Sequence, residues 1–262
     1  MTSHISPRTL LEALLPFDGD ASLGVVYDTA NLVHIKDQPV RLALRRLIAA
    51  GDIVQVGRGR GGTIALTSSG RARLSRDRVG LQLAFSQDSD LAGWDGNWHL
   101  LALGAPESER AIRDAFRRDV QALGAASIST GLYLTPHDVA PLLPEQVGRY
   151  LVTATATTMS VRGMTEPRAI TEALWPAHDT VTSYTALDAA LDADDDETDP
   201  LARQLFLAGA LDAALRNDPL VPPELRRTPW PPTEIRRRWL THWHDAISSA
   251  EGPQVYQGWL RD

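Results

Sequence analysis

Cysteine is absent from the sequence, and methionine occurs only three times in 262 residues. Without thiols the chain cannot form disulfide bridges, thiolate zinc sites or cysteine nucleophiles. Residues 1–9 lack the basic and then apolar layout of a signal peptide, and no run of about 18 apolar residues is present that could span a bilayer. These absences favour a cytoplasmic protein that does not contact a membrane.

Charge is unevenly distributed along the chain. The whole sequence carries a net charge of −7, but residues 36–78 contain ten Lys or Arg and three Asp or Glu. This segment therefore carries +7 and the remainder −14. A single basic block on an acidic chain is typical of a local phosphate-binding face.

The basic segment begins with a predicted helix. Asp37 is a candidate N-cap, Pro39 is tolerated in a first helical turn, and Gly51 suits the position just after a helix end. Two short strands, residues 53–56 and 63–66, follow around the loop GRGRGG, and Thr67 or Ser68 begins another helix. The predicted buried face of the first helix consists of Val40, Ala43, Leu44, Leu47 and Ile48.

Two helices are predicted before this segment, at residues 7–15 and 23–32, and the turn Val33-His34-Ile35 precedes the third helix. Three helices followed by a two-stranded wing indicate a winged helix-turn-helix, whose second motif helix enters the major groove of DNA. Side chains opposite the buried face could read base edges, and the wing arginines could hold phosphates. The predicted DNA-binding residues are Lys36, Gln38, Arg41, Leu42, Arg45, Arg46, Arg58 and Arg60.

The rest of the chain predicts two further domains, which makes the fold class α+β. Residues 98–104, 106–123, 127–129, 132–135, 136–147 and 150–155 follow the order β-α-β-β-α-β of a ferredoxin-like, or split βαβ, domain. Beyond it the predicted elements are helices, at residues 166–174, 184–193, 201–216 and 235–249. The predicted domains are therefore 1–80 (winged helix-turn-helix), 81–162 (ferredoxin-like) and 163–262 (helical).

Several segments together resemble the PaaX family of transcriptional repressors of phenylacetate-catabolic operons. The segment VHIKDQPVRLALRRLIAAGDI resembles the family's recognition helix. WDGNWHLLALGAPE, AIRDAFRRDVQALG and GLYLTPH resemble its central domain, and NDPLVPPELRRTPWP resembles its C-terminal segment. The resemblance implies a homodimer that binds an inverted-repeat operator on double-stranded DNA. It also implies release by an aryl-acyl-CoA effector such as phenylacetyl-CoA.

The effector site is predicted from polar and aromatic side chains in the family-like segments. The candidates are Trp98, His137, Trp175 and Arg203, and each tryptophan has core packing as its alternative role. No cofactor or metal is expected.

Other functions were weighed against this one. The wing GRGRGGTIAL departs from the arginine-serine-tyrosine-tyrosine run of the family, which leaves open a regulator of another pathway with a different effector or none. A metal-dependent nuclease needs carboxylates at a strand end, and WHLLALGAPE offers no aspartate there. An acyl-CoA hydrolase or transferase lacks both a G-x-S-x-G elbow and a cysteine nucleophile. We therefore expect a DNA-binding regulator and not an enzyme.

Overall fold

The amino-terminal elements lie in the predicted order in a computed structural model that describes residues 5–192, 199–248 and 255–256. Helix α1 (Pro7–Leu14) begins at Ser6, whose hydroxyl oxygen accepts a hydrogen bond from the Thr9 N–H. Helices α2 (Leu23–Leu32) and α3 (Asp37–Ala49) follow, and then strands β2 (Ile53–Val56) and β3 (Thr63–Leu66). Strand β1 (Asp20–Ser22), which the sequence does not predict, pairs with β3 in a three-stranded sheet of order β1-β3-β2.

Two details of α3 differ from the predictions. Asp37 lies in the first turn and not at the cap, because Lys36 occupies the N-cap and no side chain caps the helix. Ile48 is 39% exposed, so the buried face is formed by Val40, Ala43, Leu44 and Leu47 alone. Gly51 has φ +74° after the helix end, as predicted.

The chain divides into two units that differ from the three predicted domains. The first comprises Met1–Arg78, Ala186–Ala213 and Ile235–Asp262, and the second comprises Val79–Thr185 and Ala214–Glu234. The predicted helical domain, residues 163–262, therefore contributes to both units.

The first unit contains α4 (Ser68–Asp77) and most of three later helices: α10 (Thr185–Asp192), α11 (Pro200–Leu215) and α12 (Pro231–Ser248). Buried polar side chains join α11 to α12: Gln204 donates to the Ala246 carbonyl (3.1 Å), and the Trp239 indole donates to the Leu207 carbonyl (2.8 Å). The predicted ends of two helices, residues 193 and 249, lie outside the described residues.

The second unit is built on a four-stranded antiparallel sheet. Its strands are β4 (Trp98–Leu103), β5 (Ala126–Ser129), β6 (Leu132–Thr135) and β7 (Leu151–Ala156), in the order β5-β6-β4-β7. This order and the helix between β4 and β5 are those of the predicted split βαβ arrangement. The helices of the unit are α5 (Val79–Asp88), α6 (Arg110–Ala122), α7 (Glu145–Gly148), α8 (Pro167–Leu174) and α9 (Ala177–Ser183).

Each face of this sheet has its own apolar cluster. On one face Leu101 and Tyr133 pack with Phe116 and Val120 of α6, and the Phe116 and Tyr133 rings meet edge to face at 5.5 Å. On the other face Trp98 and Leu134 pack with Ile170 of α8. The helix predicted over residues 136–147 is wrong: a 3-10 turn (Ala140–Leu142) and the four-residue α7 stand there, because Pro141 and Pro144 supply no N–H for a continuous helix.

Candidate nucleic-acid interface

Helix α3 presents a polar surface opposite the face that it buries. Gln38, Arg41, Arg45 and Arg46 are all exposed, as is Lys36 at the N-cap. Leu42 is 48% exposed among them. Helical periodicity places these positions away from Val40, Leu44 and Leu47, so burying the apolar side fixes which side chains reach outward. A positively charged helix surface with one exposed leucine results.

The arginines of α3 differ in their surroundings. Arg41 donates to the Asp37 carboxylate one turn earlier (3.3 Å), and its guanidinium lies 6.0 Å from the Tyr27 ring centroid. Arg45 and Arg46 form no ion pair with any residue in the described part of the chain. The guanidinium groups of Arg45 and Arg46 are therefore available to phosphates or base edges.

The loop between β2 and β3 carries the other two predicted arginines. Gly57 and Gly59 have φ of +77° and +61°, left-handed values that favour glycine, and a 3-10 turn spans Gly59–Gly61. A side chain at Gly62 would lie 2.9 Å from the Val56 carbonyl oxygen, so the close approach of the two strands also requires glycine there. Both arginines, Arg58 and Arg60, are exposed on this loop.

Arg60 is held by helix α2. Its guanidinium donates to the Asp28 carboxylate at 2.5 Å and lies 5.8 Å from the Tyr27 ring centroid. The hydrogen bond from Arg60 to Asp28 and the charge of that carboxylate raise the pKa of Arg60. Asp28 thus occupies, on this surface, the position that a phosphate would take on the same guanidinium.

Sequence reasoning did not find the contributions of Tyr27 and Asp28. Both lie on α2, on which the sequence predicts no DNA-binding residue, and Tyr27 is largely buried while Asp28 is exposed. The proximity of Asp28 to Arg60, 32 positions later, arises from tertiary packing of the loop on α2. No pattern in the sequence near either residue signals that pairing.

Three arginines of the basic block have structural contacts instead of a free surface. Arg73 bridges Glu12 (2.8 Å) and Asp52 (2.9 Å), which ties α4 to α1 and to the start of β2. Arg71 lies 3.6 Å from Asp18, and Arg78 donates to the Glu12 carbonyl oxygen at 3.3 Å. The net charge of +7 therefore overstates the number of arginines in this segment that are available to bind a polyanion such as DNA.

The predicted effector residues are only partly brought together. Trp98 is 1% exposed, and its ring stacks on that of Trp175 at 6.4 Å with an interplanar angle of 5°. The Trp175 indole donates to the Gly124 carbonyl at 2.8 Å. Both rings are committed to packing within the second unit, whereas Arg203 belongs to the first unit and donates to Nδ1 of His242 (3.3 Å).

His137 lies in the second unit with the two tryptophans. Its Nε2 bonds the Leu220 carbonyl oxygen at 2.7 Å, and because a carbonyl only accepts, that nitrogen carries the proton. Burial lowers the pKa of His137, although the bond to Leu220 opposes the effect. The neutral imidazole thus contributes to packing, and its role as an effector ligand stays a prediction.

The described residues contain no group of three or more His, Asp or Glu side chains arranged to hold a metal ion. Within the same ranges no helix is both long and apolar enough to cross a membrane.

Comparisons with known proteins match part of the second unit to a family. Residues 91–172 match the family described as the PaaX protein central Cas2-like domain. The structure is similar to that of the uncharacterized protein Rv0674 from Mycobacterium tuberculosis, with a TM-score of 0.56 and 21% identity over 94% of this chain and 97% of that one. At that identity the likeness shows the fold alone, and no curated protein sequence matches the chain.

The family match covers the segments WDGNWHLLALGAPE, AIRDAFRRDVQALG and GLYLTPH, which carry the central part of the sequence resemblance. It includes β4 to β7 and ends within α8, so it coincides with the split βαβ sheet. Residues 91–172 therefore match a PaaX-type central domain, which confirms the resemblance to the PaaX family found in the sequence.

Proposed function

We propose that the chain is a DNA-binding transcriptional regulator whose amino-terminal elements act as a winged helix-turn-helix. Helix α3 is the recognition helix, and the loop between β2 and β3 is the wing. The observation that carries the proposal is the surface of α3, where Arg45 and Arg46 are exposed without an ion pair in the described residues while the opposite face is buried. The match of residues 91–172 to the PaaX central domain supports the same function.

The side chains of α3 and the wing have two roles in the proposed recognition, reading bases and binding phosphates. Arg45 and Gln38, on the outer side of α3, are suited to guanine and adenine edges in the major groove, and Leu42 is suited to a thymine methyl group. Lys36 and Arg46 flank this side and hold phosphates. Arg58 and Arg60 on the wing contact phosphates or the minor groove, so they contribute more to affinity than to sequence choice.

The regulator binds as a homodimer to an inverted repeat. Two recognition helices related by a twofold axis read half-sites about one helical turn of DNA apart. Occupation of such a site next to a promoter blocks transcription, which makes the protein a repressor.

We extend the proposal to the effector and the regulated pathway, for which the support is the match of residues 91–172 to the PaaX central domain. The regulated operon serves the catabolism of an aromatic acid of the phenylacetate type, and an aryl-acyl-CoA releases the repressor. Release requires that the effector bind the DNA-free arrangement more tightly than the DNA-bound one. Phenylacetyl-CoA should therefore displace the protein from its operator, whereas free CoA at the same concentration should not.

The test of DNA recognition begins with selection of the sequences that the purified full chain retains from a random double-stranded pool. Arg45→Ala should lower affinity for the selected site by roughly 5- to 150-fold, which corresponds to about 1–3 kcal/mol for a base contact. Arg117→Ala, which removes another exposed arginine, on α6, is the matched control and should leave affinity unchanged. Equal affinities of wild type and Arg45→Ala, or a pool without enrichment, would contradict the proposal.

A further inference from the structure

Strand β7 forms one edge of the central sheet and is almost entirely exposed. Among the described residues it pairs with β4 alone, and residues 152–155 are all exposed, with Val152 at 60%. A strand edge with free N–H and C=O groups is a template for another strand. We infer that β7 is the homodimer interface, where it pairs antiparallel with β7 of a second copy.

The backbone groups on the outer side of β7 can be identified from its register. The Gly104 N–H donates to the Tyr150 carbonyl oxygen at 2.8 Å, and the same register continues along β4 and β7. Because hydrogen-bonded residues alternate along an antiparallel strand, the even-numbered residues of β7 face β4 with their backbone groups. Leu151, Thr153 and Thr155 therefore direct their N–H and C=O groups outward.

The two edges of the sheet differ in protection. Strand β5, the opposite edge, has a register shift between Ser127 and Ser129, an irregularity of the kind that discourages further pairing. Strand β7 has the sequence LVTATA, without proline, glycine or charge, and its pairing with β4 is regular throughout. Natural proteins usually protect an edge strand of this kind with a charge, a proline or a bulge unless the strand has a partner.

Charge points to a second copy as the partner. Residues 146–165 contain no Asp or Glu in a chain whose net charge is −7, so two copies can approach here with little mutual repulsion. Only Arg149 and Arg162 are charged within this stretch, and both lie outside β7.

Because the backbone N–H and C=O groups of residues 151, 153 and 155 face outward, β7 can pair with β7 of a second copy. Antiparallel pairing centred on Thr153 places Leu151 opposite Thr155 of the other copy, and each hydrogen-bonded pair exchanges two backbone bonds. The same register sets Val152 against Ala154 of the other copy, which covers the most exposed apolar side chain of the strand. The resulting contact is isologous, as a twofold dimer requires.

This inference deepens the proposed function by naming the surface that relates two recognition helices by a twofold axis, but its first test does not involve DNA. Sedimentation equilibrium of the full chain at micromolar concentration should give the dimer mass. Val152→Lys sets a charged side chain against Ala154 of the other copy and puts the two introduced charges at diagonal positions across the pair, so it should give the monomer mass. Ser127→Lys, on the protected edge, should remain a dimer. A monomeric wild type, or a Val152→Lys variant that stays dimeric, overturns the inference.

Cross-linking gives a second and independent measurement, because a chain without cysteine accepts a single probe thiol. Thr153→Cys treated with a short bis-maleimide should yield mainly covalent dimer, whereas Ser127→Cys should stay monomeric on a denaturing gel. Equal yields from the two positions, or none from Thr153→Cys, contradict the interface. Binding of the selected DNA by a protein that fails these tests would leave the proposed function standing and remove only this interface.

Discussion

Two arginines on the proposed DNA surface form ion pairs with carboxylates on the same surface. Arg60 is paired with Asp28, and Arg41 is paired with Asp37, so the surface presents carboxylates beside its guanidinium groups. Exposed ion pairs of this kind contribute little to folding stability. Their effect is on binding, because each carboxylate must be displaced or repelled when a phosphate approaches the arginine.

The first prediction concerns Asp28. Asp28→Asn should raise affinity for unrelated duplex DNA several-fold, because Arg60 then becomes free for a phosphate and one like-charge repulsion disappears. The slope of log affinity against log salt should steepen by about 0.9 per subunit if one more phosphate is neutralised. Fluorescence anisotropy across a salt series measures both quantities. Asp20→Asn removes an exposed carboxylate that pairs with no arginine among the described residues, and a comparable gain from it would refute the specific role of Asp28.

His34 has an unusual backbone conformation. It has φ +59° in the turn between α2 and α3, where its N–H donates to the Asn31 carbonyl at 3.1 Å. Left-handed backbone costs a residue with a Cβ roughly 1–2 kcal/mol, and glycine avoids that cost.

The second prediction is that His34→Gly stabilises the protein. The free energy of unfolding should rise by roughly 0.5–1 kcal/mol, because relief of the left-handed conformation exceeds the extra flexibility that glycine gives the unfolded chain. Urea denaturation followed by circular dichroism gives this value. His34→Ala keeps the Cβ and should show no gain; a gain equal to that of the glycine variant would show that backbone strain is not the cause.

At the scale of elements, the sequence predicted what local patterns determine. Helix α2 and strands β2 and β3 have the predicted bounds, because apolar periodicity and the intervening glycines are read directly from neighbouring residues. Strand β1 was missed because the three residues Asp20–Ser22 carry no alternation, and they become a strand only by pairing with β3.

The candidate DNA-binding site was likewise predicted only where local patterns determine it. The exposed arginines of α3 follow from helical periodicity, so the sequence identified them. The pairing of Arg60 with Asp28, and the commitment of Arg73 and Arg78 to other elements, depend on segments distant in the chain. The stacking of Trp98 on Trp175 also joins segments 77 positions apart, and no local pattern encodes it.

A distant element that the sequence did not connect with the amino-terminal helices is the segment Val255–Tyr256. The Tyr256 N–H donates to the Ala13 carbonyl at 2.7 Å, and the Arg78 guanidinium lies 4.5 Å from its ring centroid. The Val255 N–H donates to the Gln204 side-chain oxygen (3.3 Å) on α11. These residues thus join α1 and the end of α4 to the later helices of the first unit.

The third prediction uses the titration of this tyrosine. Burial raises the pKa of Tyr256 to about 12, above the ordinary value of 10.0, although the charge of Arg78 acts in the opposite direction. Above pH 10 the unfolded chain loses the phenolic proton while the folded protein keeps it, so stability falls as pH rises from 10 towards 12. The loss of stability across this pH range is about 3 kcal/mol, since each pKa unit corresponds to about 1.4 kcal/mol.

Tyr256→Phe should remove this part of the alkaline loss and leave stability near pH 8 little changed. Urea unfolding at pH 8, 10 and 11 for both proteins gives the comparison, with the other ionisable groups common to both. Parallel pH profiles for wild type and Tyr256→Phe would mean that the phenol is not protected by the fold.

At the scale of the whole molecule, the distribution of charge determines which surface is suited to the proposed binding of DNA. The chain outside residues 36–78 carries −14, which opposes the approach of DNA to any surface other than the basic one. Cations of α3 and the wing without an ion pair in the described residues are Lys36, Arg45, Arg46 and Arg58. The two subunits of the proposed dimer present this set twice, so phosphate contacts should dominate its affinity for DNA.

The fourth prediction is a steep salt dependence of operator binding. If all of these cations meet phosphates, log affinity should fall against log salt with a slope of about −7, since each neutralised phosphate contributes about −0.9. Arg58→Ala should reduce the magnitude of that slope by about 2 in the dimer, because the wing contact is lost from both subunits. Arg117→Ala should leave the slope unchanged, because that arginine lies on α6 in the other unit. Affinity that stays constant between 50 and 200 mM salt would be incompatible with binding through these side chains, whatever the sequence of the DNA.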